Sequence, residues 1–116
     1  MSIEDLDQID FISAHTDGYI ALTISDHLEW DDNPDHLSIL LAKINHYLEF
    51  IETGQIYDKY PDAKGRKIVI EIIAKFAPNE DCYYFLLSAR KQMVSLGYDL
   101  KFGWMENGEL ILAEIY

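Results

Sequence analysis

Between Asp26 and His36 the chain gathers Asp26, His27, Glu29, Asp31, Asp32, Asp35 and His36, with Trp30 in their midst. Mixed imidazole and carboxylate sets suit zinc, manganese or iron. His27, Glu29, Asp31 and His36 are the candidate ligands, since His27 and Glu29 share one side of an extended segment and the other two follow closely. The spacing matches no metal signature, and it lacks the alternating acids, central glycine and terminal glutamate of a calcium loop. Acids at a helix start also have a simpler use: each stabilises the positive dipole end by a few tenths to about 1 kcal/mol. Asp26, Glu29, Trp30, Asp31, Asp32 and Asp35 further make a candidate surface for a basic protein, an aromatic anchor ringed by charge. For Trp30 the competing expectation is packing against the first helix, as a staple ahead of its N-cap.

Acid–base catalysis would require a carboxylate or histidine with a displaced pKa inside a pocket. Asp26 fits best, because alternation puts it on the core-facing side at the end of a strand. Its duller use is to cap the following turn through its side chain, and no second catalytic group accompanies it. Cys82 falls in the first turn of a helix but on its apolar face, where a thiol behaves as a small hydrophobe. His15 and His46 carry nothing beyond structural readings. The expectation is a chain without a catalytic set and without a cofactor.

Net charge is −12, and residues 1–42 carry ten carboxylates and no Lys or Arg, whereas the remainder carries eleven against nine. A nucleic-acid binder would need a basic footprint, so that class is excluded, while a basic protein or a cation fits. At 116 residues, 49% apolar, the chain is read as one domain, 1–116, with a real core. The single cysteine forms no disulfide framework, MSIEDLDQ lacks the features of a signal peptide, and no segment is long enough to span a membrane. The expected address is the cytoplasm.

These residues must be positioned by the elements around them. Gln8–His15 and Tyr19–Asp26 alternate as strands about Asp17-Gly18, read as a two-residue turn. That register sets Phe11 beside Ile20, Leu22 and Ile24, and places Ile12 with Thr23 on the opposite face. Asn33 caps a helix with Pro34 at its first position, and Gly54 ends it. The core stripe is Leu37, Leu40, Leu41, Ile44, Tyr47, Leu48 and Ile51, with a thinner one at Ile39, Lys43, His46 and Phe50. Residues 54–66 are a loop folded back through Ile56, Tyr57 and Tyr60. KIVIEIIAKF, residues 67–76, is the central strand. Asn79 caps a second helix that ends at Gly97, with Cys82, Phe85, Leu86, Ala89, Met93 and Leu96 inward and Tyr83, Leu87, Arg90 and Val94 on its flank. Asn107-Gly108 closes a last hairpin that pairs Trp104 with Ile111. The order ββαβαββ predicts an α+β two-layer sandwich, a five-stranded mixed sheet with both helices on one face, their flanks touching.

LTISDHLEW followed by KINHYLEFIETGQIYDKYPDAKGRKIVIEI resembles a small bacterial family known only as a domain of unknown function, and the likeness runs from the first strand to Gly97. It implies a bacterial single-domain protein with no catalytic residue to carry over. The residues themselves point to a non-enzymatic module of immunity or antitoxin type that binds a basic partner through the acidic rim. The alternative is a metal- or small-ligand domain, a weak hydrolase, using His27–His36. The open sheet face, with Ile12, Val69, Ile73, Met105, Leu110 and Leu112, is either covered by residues 1–7 or by the loop 54–66, or is a homodimer surface.

Overall fold

The computed structural model describes residues 11–16, 18–30 and 35–112. The strands are β1 (Phe11–Ala14), β2 (Ile20–Asp26), β3 (Ile68–Ala74), β4 (Asp99–Glu106) and β5 (Glu109–Leu112); the helices are α1 (His36–Glu52), α2 (Gln55–Lys59) and α3 (Glu80–Ser95). The five strands pair in chain order, antiparallel at both edges and parallel across β2, β3 and β4. Ile20, Leu22, Ile24, Ile68, Ile70, Ile72, Leu100 and Phe102 share one core with Leu40, Ile44, Tyr47 and Ile51 of α1 and Cys82, Leu86 and Met93 of α3. Both long helices therefore cover the same sheet face. The expected α+β architecture is the one observed.

Turn chemistry fixes the final hairpin as the sequence predicts. Asn107 and Gly108 both have positive φ, 51° and 80°, and Trp104 pairs with Ile111. The first hairpin differs. Its last rung joins His15 to Tyr19, with the His15 N–H donating to the Tyr19 carbonyl at 2.8 Å. Three positions, 16–18, thus separate the paired residues; Asp17 lies outside the described residues, and Gly18 has φ 93°. Phe11 pairs with Thr23 and Ile12 with Leu22, one residue away from the expected register. Ile12 consequently packs on the core, not on the open face. Phe11 and Ile12 are both apolar, so hydrophobicity could not choose between them, and the extra loop residue decided.

The helix ends follow local chemistry. Asn79 Oδ1 accepts the Cys82 N–H at 2.9 Å. After α3, the Gly97 N–H donates to the Val94 carbonyl and the Tyr98 N–H to the Met93 carbonyl, with Gly97 at φ 92°. Helix α1 begins at His36, two residues beyond the expected start; Asn33 and Pro34 lie outside the described residues. Its buried face holds His36, Leu40, Lys43, Ile44, Tyr47, Phe50 and Ile51. It is rotated toward the thinner stripe, and Leu41 is left exposed. On the matching flank of α3, Tyr83 and Val94 are exposed, Leu87 packs against the core, and Arg90 Nε donates to Asp99 Oδ1 of β4 at 3.0 Å. Burial pushes the Asp99 carboxyl up, but the Arg90 and Leu100 hydrogen bonds and the nearby cations outweigh it and hold the group below its ordinary value.

Candidate functional site

Strand β2 buries its even positions, so alternation carries Asp26 inward at the strand's end, where it is 2% exposed. His36 arrives from the first turn of α1, one helical step before Leu40 on the buried face, and is 1% exposed. Their side chains meet with His36 Nε2 2.5 Å from Asp26 Oδ2. Asp26 Oδ1 accepts the Leu28 N–H at 3.1 Å, the turn-capping use foreseen for it. His36 Nδ1 lies 3.0 Å from the Glu29 carbonyl.

That last contact sets the tautomer. A carbonyl oxygen only accepts, so Nδ1 carries the hydrogen and Nε2 faces the carboxylate. A single proton then occupies the Nε2–Oδ2 bridge, and the pair is neutral overall wherever along the bridge that proton sits. Burial drives the Asp26 carboxyl above its ordinary value, opposed by the hydrogen bond and charge of His36 and by the Leu28 N–H. Trp30 seals the pair: its ring stacks on His36 at 3.7 Å and 11°, and Nε1 donates to the Phe76 carbonyl at 3.2 Å. The cluster ties the end of β2 to the start of α1 and to the chain leaving β3.

Asp26, Trp30 and His36 are thus brought together, but inside. A surface partner reaches neither the Asp26 carboxylate nor the Trp30 ring, so the outward-facing aromatic anchor gives way to the packed indole, here stacked on the first residue of α1. Glu29 and Asp35 are exposed beside them, as is His27, whereas Asp31 and Asp32 lie outside the described residues. Of the four metal candidates, His36 has both ring nitrogens engaged and offers no lone pair while the bridge stands. Among the described residues no three His, Cys, Asp or Glu side chains come together as a metal site.

Cys82 is fully buried on α3, and its thiol is pushed up to about 12 by burial and, secondarily, by the charge of Asp26. The thiolate is the reactive form, so at pH 8 a thiol reagent should label Cys82 only as fast as the protein unfolds. Labelling that keeps pace with a free thiol in the native protein would contradict this placement.

A parallel three-strand centre, flanking hairpins and a buried carboxylate–imidazole bridge at the carboxyl edge define a two-layer α+β domain. The chain belongs to a family of unknown function (DUF6572), whose family model matches residues 1–106. No curated protein and no solved structure matches it. Among the described residues no helix is long and apolar enough to cross a membrane.

Proposed function

We propose that this chain is a non-enzymatic, cytoplasmic interaction domain that binds a basic protein, in the manner of an immunity or antitoxin protein, through the carboxyl edge of its parallel strands. The observation that carries the reading is where the acidic side chains lie. Glu29 and Asp35 at the entry to α1, and Glu80 and Asp81 in the first turn of α3, are all exposed on this edge, and Asp31 and Asp32 fall between Glu29 and Asp35 in the sequence. The groups beneath them with chemical capability, Asp26, His36 and Cys82, are buried and turned away from solvent. Such a rim attracts and orients a cationic surface without reacting with it.

The test begins with a partner captured from the host and then purified, with affinity measured against ionic strength. Binding should weaken steeply as salt rises, and joint replacement of Glu29, Asp31, Asp32 and Asp35 by lysine should abolish it. Unchanged affinity in that variant would overturn the proposal.

A further inference from the structure

On the sheet face opposite the helices, Ile73 of β3, Gly103 of β4 and Leu112 of β5 stand in one row across three strands. The missing side chain in the middle of that row leaves a hollow of about 270 Å³. A Cβ at Gly103 would sit 3.0 Å from both the Ile111 carbonyl and Leu110 Cδ1, and 3.2 Å from Leu112 Cδ2. The glycine therefore lets the two leucines lean over the floor and form an apolar wall.

The other end of the hollow is polar. Glu71 and Lys101 are direct partners across β3 and β4, yet they are joined through a third group, the Tyr19 hydroxyl. That hydroxyl donates to Glu71 Oε1 at 3.0 Å and accepts from Lys101 Nζ at 3.2 Å, while Nζ lies 4.5 Å over the Tyr19 ring. His15 also lines the hollow and stacks on Tyr19, with the ring centres 4.3 Å apart. Burial, together with Glu71, holds the phenol above its ordinary value against the pull of Lys101, so the bridge keeps its proton. An ammonium has three donors and a carboxylate accepts at both oxygens. Each charge thus retains hydrogen-bonding capacity at the mouth of the hollow.

We propose that this hollow binds a free α-amino acid with an apolar side chain, its carboxylate on Lys101, its ammonium on Glu71 and its side chain against Ile73, Leu110 and Leu112. Two opposite charges held a hydroxyl's width apart complement a zwitterion, and a ligand with one charge leaves the other unmatched. The size suits a small ligand: at about 270 Å³ the hollow is just below the range of ordinary ligand pockets, roughly 300–1,000 Å³. The site lies on the face away from the acidic rim and stands or falls independently of the basic-partner reading.

Titration of the intact protein with L-leucine, followed by amide chemical shifts, tests it. Shifts should concentrate on β3, β4 and β5, with saturation on the order of millimolar ligand. N-acetyl-leucine, which lacks the ammonium, and leucinamide, which lacks the carboxylate, should each bind about ten-fold more weakly. Lys101→Met should erase the preference for leucine over leucinamide, and Glu71→Gln the preference over N-acetyl-leucine. Both variants keep the bulk of the native side chain, and circular dichroism would verify their folding. The proposal is overturned if L-leucine, L-methionine and L-phenylalanine all fail to bind at on the order of 10 mM, if the blocked analogues bind as tightly as leucine, or if either variant retains full discrimination.

Discussion

His36→Ala should lower the unfolding free energy by about 2–4 kcal/mol, the cost of leaving a buried hydrogen-bonding group without its partner together with the lost ring stack. The substitution leaves Asp26 Oδ2 buried without its His36 partner, removes the ring on which Trp30 stacks and breaks the contact to the Glu29 carbonyl. Asp26→Asn should be far milder, about 1 kcal/mol by the scale of a single hydrogen bond. The amide oxygen can take the Leu28 N–H while its NH₂ donates to Nε2, which reproduces the neutral form of the bridge. The pH dependence follows from the raised Asp26 carboxyl. A carboxyl raised on folding stabilises the protein below its unfolded value, near 3.8, and loses that contribution as pH rises through its folded value. The asparagine variant does not titrate there. The advantage of the wild type over Asp26→Asn should therefore shrink as pH climbs from about 4, and urea melts across that range would measure it. An advantage that grows with pH would mean that the bridge rests on an ionised carboxylate.

The second large effect belongs to a segment that the sequence presents as a connection. Ile56, on the five-residue α2, is fully buried and part of the common core. Ile56→Ala should cost about 2–5 kcal/mol, the usual penalty for a cavity left by a large aliphatic side chain. The neighbouring substitution Asp58→Ala, on an exposed position of the same helix, should change stability by no more than about 0.5 kcal/mol. Chemical denaturation of the pair decides it. If the two variants melt alike, the crossover after α1 is not part of the cooperative core.

Patterns that act over short distances could be read from the sequence. The Asn107-Gly108 turn, the Asn79 cap and the glycine after each long helix each involve residues within a few positions of one another, and all three appear as expected. The Asp26–His36 bridge was half visible: alternation marked Asp26 as inward, and His36 stands four residues before Leu40, which extends the buried stripe by one turn. Two polar residues on converging apolar faces were the signal for their pairing. Their partnership still depends on how the turn between them folds, and the neighbouring acids drew attention outward instead. For Tyr19, Glu71 and Lys101 no local signal existed. Tyr19 stands just before β2, Glu71 on β3 and Lys101 on β4, far apart in the chain, and only the strand register brings them together.

The strand order has a kinetic consequence. Because every strand lies next to its neighbour in sequence, the two terminal hairpins can close locally, within microseconds. The centre of the sheet is different: β2 meets β3 only after residues 27–67 have looped round, and β3 meets β4 only after residues 75–98 have done so. Those two closures bear the entropic cost and set the rate. Until β3 docks, each hairpin presents a bare inner margin, and a slow crossover would leave that margin open to pairing with other chains.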